Sequence, residues 1–120
     1  MKSSRSRPVG AAAAGASVPG APRDLEAIFA RQRSGSLEVD LSWAISGAGN
    51  LTGYNVYRSQ QPEGPGVRLN RLPLAAPEFR DTTVAAGISY RYSVTAVGAA
   101  GTESKPSAPV TVNVPGKDGE

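Results

Sequence analysis

Residues 90–96 read YRYSVTA, and this stretch decides the fold class of the 120-residue chain. Aromatic or apolar side chains occupy every second position, and polar side chains lie between them. Successive side chains of a β-strand point to opposite faces, so this spacing predicts a strand with one buried face. The inward set is Tyr90, Tyr92, Val94 and Ala96, and the outward set is Arg91, Ser93 and Thr95.

The same two-residue spacing recurs on both sides of this stretch, between turn sequences rich in glycine and proline. Seven short strands joined in this way predict an all-β fold, a two-sheet antiparallel sandwich. Pro106 and Pro109 precede the last strand, and proline cannot donate to a strand ladder, so that strand is expected at a sheet edge. The other six predicted strands are Leu25–Phe29, Leu37–Trp43, Tyr54–Tyr57, Val67–Leu69, a short one around Phe79, and the Tyr90 strand; the last is Val110–Val114.

Composition excludes several classes of chemistry. The chain has no histidine and no cysteine, which excludes disulfides, thiol chemistry, histidine-ligated zinc and Ser-His-Asp triads. No cofactor-binding or metal-binding motif is present. No run approaches the 18 or more apolar residues of a membrane span, so no span is expected. Residues 24–120 hold nine bases and ten acids, so the net charge of +3 comes from residues 1–23, with four bases and no acid. Those bases are sparse and lack neighbouring aromatics, so nucleic-acid binding is not expected.

The two ends of the chain differ from the part between them. Residues 1–22 are rich in alanine, glycine, serine and proline and contain few large apolar side chains, which predicts a disordered tail or linker. Pro8 and Gly10 interrupt the segment that follows the first bases, so a secretory signal is not convincing. Residues 116–120 are polar and predicted to be a second disordered tail. The domain is therefore expected at residues 23–115.

Between Pro22 and Pro115 the chain resembles a fibronectin type III domain of bacterial secreted proteins. LEVDLSW, at 37–43, resembles the second strand of that family with its core tryptophan, and GYNVYRS, at 53–59, resembles the third. EFRDTT, at 78–83, resembles the fifth strand and its exit, and GTESKPS, at 101–107, the turn into the last. VAAGISYRYSVTAV, at 84–97, is the most diagnostic stretch.

The resemblance implies a seven-stranded antiparallel immunoglobulin-like β-sandwich. Val84 stands six residues before Tyr90, where the family usually has leucine and its corner tyrosine, and Ala86 stands where it often has proline. The tyrosine-corner interpretation places the Tyr90 ring in the core and bonds its hydroxyl to upstream backbone, leaving a buried acceptor unpaired when Tyr90 is replaced by Phe. The structural core is expected to include Trp43, Tyr54, Val84, Tyr90, Tyr92 and Val94.

Two outward-facing groups of residues are candidates for chemistry or binding. Glu38 and Asp40 share one strand face, but they are interpreted as a solvated face that Arg31, Arg33 or Arg80 neutralises. Tyr57 is the one aromatic that alternation turns outward. The possible partner-contact residues on its face are Tyr57, Asn55, Arg91 and Thr95, since tyrosine and arginine are common anchors.

These observations favour a protein that is not an enzyme. The resemblance implies a non-catalytic spacer or protein-interaction module, part of or associated with a secreted or cell-surface bacterial protein. The alternative is a carbohydrate- or protein-binding β-sandwich that uses the Tyr57 face. Partners are then a protein or a polysaccharide, the module is expected to be monomeric, and the location implied by the resemblance is extracellular or the cell surface.

Overall fold

The computed structural model describes residues 19–45, 51–60 and 66–116. Within these ranges the chain forms seven β-strands and no helix. Every run of alternating residues found in the sequence contributes to one of them, so the all-β prediction is confirmed. The strands are β1 (Arg23–Arg31), β2 (Leu37–Ala44), β3 (Leu51–Gln60), β4 (Val67–Arg68), β5 (Glu78–Asp81), β6 (Ser89–Gly98) and β7 (Val110–Asn113).

The strands form two antiparallel sheets. One sheet has three strands in the order β1-β2-β5, and the other has four in the order β4-β3-β6-β7. β7 lies at the edge of the four-stranded sheet, as the prolines before it predicted. The immunoglobulin-like sandwich expected from the sequence is therefore confirmed.

The core lies between the inner faces of the two sheets. All six residues expected there are buried, and Trp43 packs edge-on against Tyr54 with ring centroids 5.4 Å apart. Burying one large apolar side chain contributes about 1.5–3 kcal/mol. A one-residue slip of β2 would move its whole inward set to the opposite face, which strongly favours the observed register. That inward set is Val39, Leu41 and Trp43.

The Tyr90 hydroxyl fixes the segment that leads into β6. It accepts a hydrogen bond of 2.8 Å from the backbone N–H of Ala85. The bond to upstream backbone is the one that the tyrosine-corner interpretation anticipated. Its direction corrects that interpretation, because the group left unpaired without the hydroxyl is a backbone donor and not an acceptor.

Side chains take the place of backbone groups at both edges of the four-stranded sheet. Beyond β7, the Ser104 and Ser107 hydroxyls accept hydrogen bonds from the N–H groups of Ala96 and Val94, at 2.9 and 3.0 Å. At the other edge, Asn70 Oδ1 accepts a 2.8 Å bond from Val56 N–H. Asn70, Ser104 and Ser107 are buried. Their side-chain oxygens accept hydrogen bonds from backbone N–H groups that have no carbonyl partner on an adjacent regular strand.

The ends of the described part are packed against the sandwich. Pro19 lies over Gly98, so that a Cβ added to Gly98 would meet the proline ring at 3.2 Å, and Pro22 is also buried. At the other end, Arg31 donates a 3.3 Å bond to the carbonyl of Gly116. Residues 1–18 and 117–120 of the two predicted tails lie outside the described residues. So do residues 46–50 and 61–65 of the predicted turns.

Replacing Gly53 with alanine should destabilise the domain. A Cβ at Gly53 would lie 2.7 Å from the carbonyl oxygen of Leu74 and 2.7 Å from Pro73 Cβ, so backbone must move. We expect a loss of about 1–3 kcal/mol in a urea titration, as for other overpacked sites. Gly66→Ala is the matched control, because its added Cβ meets nothing within 4 Å. Equal midpoints for the two variants would contradict the close approach at Gly53.

Two tyrosine-to-phenylalanine substitutions should change the free energy of unfolding by amounts that differ in sign or size. Tyr90→Phe leaves the Ala85 N–H without its partner and should cost about 1–3 kcal/mol. Tyr54→Phe removes a buried hydroxyl that has no hydrogen-bond partner, and should be neutral or stabilising. Free energies of unfolding from denaturant titrations compare the two variants directly. A larger loss for Tyr54→Phe than for Tyr90→Phe would refute this assignment.

Candidate interaction surface

A buried carboxylate links the two sheets. Asp81, at the end of β5, is only 2% exposed. Its Oδ2 accepts hydrogen bonds from Arg58 Nη1 at 2.8 Å and from the Tyr92 hydroxyl at 2.7 Å. Its Oδ1 accepts two more, from the Thr83 N–H at 2.9 Å and the Thr83 hydroxyl at 2.6 Å. Arg58 and Tyr92 lie on β3 and β6, so the carboxylate of one sheet is held by two side chains of the other.

The surroundings of Asp81 explain its ionisation. Burial alone would raise the pKa of this carboxyl group, but hydrogen bonds from Thr83, Tyr92 and Arg58 outweigh burial and lower it. Burial and the neighbouring carboxylate both raise the pKa of Tyr92. The Arg58 guanidinium also lies 4.8 Å from the centre of the Tyr90 ring, a cation–π contact. The arrangement stabilises a fixed charge and holds no accessible acid or base.

A second carboxylate organises the outer face of the four-stranded sheet. The turn after β6 brings Glu103 back over the sheet, where it pairs with Val97. One oxygen, Glu103 Oε2, accepts bonds from Asn55 Nδ2 at 3.0 Å, from the Thr95 hydroxyl at 2.7 Å and from the Tyr57 hydroxyl. These hydrogen bonds lower the pKa of Glu103. Burial, followed by the bond to Glu103, raises the pKa of Tyr57.

The structure divides the four residues expected to contact a partner. Asn55 and Thr95 are 4% and 5% exposed, because Glu103 covers them and Asn70 bonds to Asn55 from the side. They hold Glu103 in place and present little surface. Tyr57 is half-buried and Arg91 is exposed, and the exposed Arg68 lies directly opposite Tyr57 on β4. We call Tyr57, Arg68 and Arg91 the Tyr57 face.

The acidic pair of β2 is less solvated than the sequence suggested. Glu38 is 7% exposed, which corrects its assignment to a solvated face. Of the three arginines considered as partners, Arg80 is the one that pairs, with Nε 2.8 Å from Asp40 Oδ1 and 3.4 Å from Glu38 Oε2. Arg80 Nε therefore lies within ion-pair distance of both carboxylates. An open depression of about 700 Å³ on this face is lined by these strands, including Ile28, Ser42 and Glu78.

The described ranges hold neither a metal-ligand cluster nor a membrane-spanning helix. No group of three or more acidic side chains there is placed to hold a metal ion. No helix there is long and apolar enough to cross a membrane.

Three comparisons relate the chain to known proteins. No family model matches it. An amylopullulanase from Thermoanaerobacterium saccharolyticum is 39% identical over 74 residues, which is 62% of this chain and 6% of that protein. Exoglucanase B from Cellulomonas fimi is 37% identical over 78 residues, again 6% of its length. The chain therefore spans about one-sixteenth of the curated relatives that it matches.

Solved structures cover more of the chain. An Fn3-like protein from Clostridium thermocellum is 32% identical, with a TM-score of 0.64, over 82% of this chain and 96% of that one. The FN5 domain of Drosophila Lar, at 22% identity and a TM-score of 0.63, shares the fold over 82% of this chain. The first of these matches covers nearly all of the Clostridium protein and about four-fifths of this chain.

The buried carboxylate should make stability depend on pH. A carboxyl group with a lowered pKa in the folded state stabilises the fold above its unfolded pKa, and this contribution is lost as pH falls through the folded pKa. Urea titrations should therefore show stability falling below about pH 4. Asp81→Asn should lose about 1.5–3 kcal/mol at pH 7 and show a shallower decline in acid.

The matched control for this prediction is Asp40→Asn. Asp40 is 42% exposed at its side chain and faces solvent, so its substitution should change stability far less and leave the decline in acid intact. An unchanged acid profile for Asp81→Asn would show that Asp81 is not the group responsible.

Proposed function

This chain belongs to the fibronectin type III family, and on that basis we propose that it is a non-catalytic module that spaces neighbouring domains. One observation carries the proposal. The chain enters at one end of the sandwich, where Pro19 packs on Gly98 at the end of β6, and leaves at the other end, where Gly116 meets Arg31 at the end of β1. Domains joined at these two points would be held apart by the length of the strands.

The proposed separation follows from strand geometry. β1 has nine residues, and a rise of about 3.3 Å per residue makes it roughly 30 Å long. The Asp81 link and the apolar seam oppose sliding of one sheet over the other, so this length is a rigid one. A spacer needs that property, whereas a flexible linker of equal contour length does not hold its ends apart.

The polar clusters support a non-catalytic role. Asp81 is buried with four hydrogen bonds, and Glu103 accepts three on one oxygen. A general acid or base must reach a substrate proton and exchange its own. Asp81 cannot reach a substrate, and the hydrogen bonds of Glu103 lower its pKa and so favour the form that has no proton to donate.

The relatives suggest a setting for the module. The curated relatives are an amylopullulanase and an exoglucanase, each many times longer than the matched segment. We propose that this chain likewise works beside polysaccharide-acting domains, outside the cell, as a monomeric unit. The alternative, binding through the Tyr57 face, is favoured by the exposure of Arg68 and Arg91 beside Tyr57.

A distance measurement tests the spacer proposal. The chain has no native cysteine, so spin labels can be placed through Ala21→Cys and Gly116→Cys. Pulsed electron resonance should give a narrow distance distribution centred near 30 Å, the length of the strands. The control pair, Ala21→Cys with Ala99→Cys, labels one end of the sandwich and should give a clearly shorter distance. A broad or short distribution for the first pair would refute a rigid spacer.

A hydrolysis assay tests the non-catalytic part. The purified chain should release no reducing ends from starch, pullulan or cellulose. Release of reducing ends would overturn the proposal if it persists through purification and if a substitution in this chain abolishes it, which would show that the chain and not a contaminant is responsible.

A further inference from the structure

We propose that the Tyr57 face binds an anionic polysaccharide, a chain of uronate sugars. The Tyr57 ring would be the stacking platform, and the Arg68 and Arg91 guanidiniums would bind sugar carboxylates. The inference rests on the proposed function in one respect, that the glycan is held and not cleaved. Three observations carry it: the position of the ring, the placement of the two arginines, and the charge of the two outer faces.

Glu103 holds the Tyr57 ring along the sheet. The carboxylate oxygen that accepts from Tyr57 also accepts from Asn55 and Thr95, which form a cross-strand pair two residues farther along β3. Two residues of strand cover about 6.6 Å, close to the reach of a tyrosine side chain. The ring therefore lies across the surface and not upright from it. A side chain that is already held in one position loses no rotamer freedom when a ligand binds.

The two arginines lie on the strands to either side of β3, the strand that carries Tyr57. Arg68 pairs with Tyr57 across β3 and β4, and Arg91 pairs with Ser59 across β3 and β6. Two strand spacings and a two-residue offset separate the arginine Cα atoms by about 12 Å, with Tyr57 between them. Guanidinium groups bind carboxylates through two parallel hydrogen bonds. Two such sites on a diagonal suit a ligand that repeats its carboxylates along a chain.

The charges of the two outer faces single out this one for an anion. The outer face of the three-stranded sheet carries four acids and one arginine: Glu26, Glu38, Asp40, Glu78 and Arg80. The Tyr57 face carries two arginines, and the Glu103 carboxylate beside it is near Arg68, so this side keeps one more positive than negative charge, against three more negative than positive on the other. An anionic polymer is therefore attracted to one side of the sandwich and repelled by the other.

The shape and side-chain composition of the Tyr57 face favour a sugar over an acidic protein as its ligand. Stable protein contacts centre on a desolvated pocket with buried anchors. The Tyr57 face is the outer surface of a sheet, and hydroxyl side chains share the cross-strand rows of Tyr57 and Arg91, at Ser59, Ser93 and Thr111. Hydroxyl groups exchange hydrogen bonds with sugar hydroxyls, and a flat aromatic ring packs against the apolar face of a sugar ring.

Affinity electrophoresis of the full chain tests this inference. Gels containing polygalacturonate should retard the chain at low salt, and gels containing pullulan should not. Arg68→Gln and Arg91→Gln should each weaken the apparent affinity by up to about fivefold. Tyr57→Ala should weaken it by about three- to tenfold, and Tyr57→Phe, which keeps the ring, should weaken it less.

The matched control is Arg33→Gln, which removes one charge from the exposed turn between β1 and β2 and should leave the retardation unchanged. Equal loss in Arg33→Gln would mean non-specific charge attraction and would overturn the inference. So would equal retardation by pullulan, equal retardation by poly-glutamate, or no retardation at all. Self-association in sedimentation that Arg68→Gln abolishes, without retardation, would assign the face to a second copy instead. None of these results alters the spin-label distance, and cleavage of polygalacturonate would overturn only the non-catalytic assignment.

Discussion

The carboxylate of Asp81 sets how the two sheets meet. Apolar burial draws the sheets together but has no direction, so it does not choose one alignment among several. Hydrogen bonds have direction, and Asp81 takes two of them from β3 and β6 of the opposite sheet. A shift of one sheet by a residue would leave a buried charge without its partners, at a large cost in free energy. The apolar seam thus supplies stability and Asp81 supplies alignment.

Glu103 illustrates the same chemistry with a different outcome. Both carboxylates collect hydrogen bonds from residues far away in the sequence, and both have lowered pKa values. Asp81 lies inside the sandwich, where its effect is on the fold. Glu103 lies on the surface, where its effect is on the presentation of Tyr57. The two carboxylates therefore differ in role because one is buried between the sheets and the other lies on the surface, and not because one is aspartate and the other glutamate.

Local pattern predicts most of this fold. Strand positions, buried faces and the edge location of β7 follow from two-residue alternation and from proline, which act within a few residues. The predicted contact residues were only partly exposed, because Asn55 and Thr95 are covered by Glu103, which lies 48 and 8 positions away from them. Alternation tells which face a side chain takes, and it does not tell what folds back over that face. The prediction that Glu38 lies on a solvated face was wrong for the same reason, because Arg80 reaches it from another strand.

The sequence held one signal for the partners of Asp81. Arg58 lies in the inward set of β3, where a charged residue breaks the apolar pattern, and that break was the available signal. The buried hydroxyls of Ser104 and Ser107 gave no such signal, because serine is common in turns. Their role emerges only when the backbone donors of Ala96 and Val94 are counted.

At one edge of the four-stranded sheet, serine hydroxyls accept hydrogen bonds where a regular strand would offer carbonyl groups. This feature matters for proteins that carry several such domains in tandem. A regular margin would offer an incoming strand a full ladder of donors and acceptors, the route by which adjacent domains misfold into one another. Here the margin ends in serines and prolines, at Ser104, Pro106, Ser107 and Pro109, whose groups are already occupied or absent. A margin blocked in this way disfavours strand exchange with a neighbouring domain.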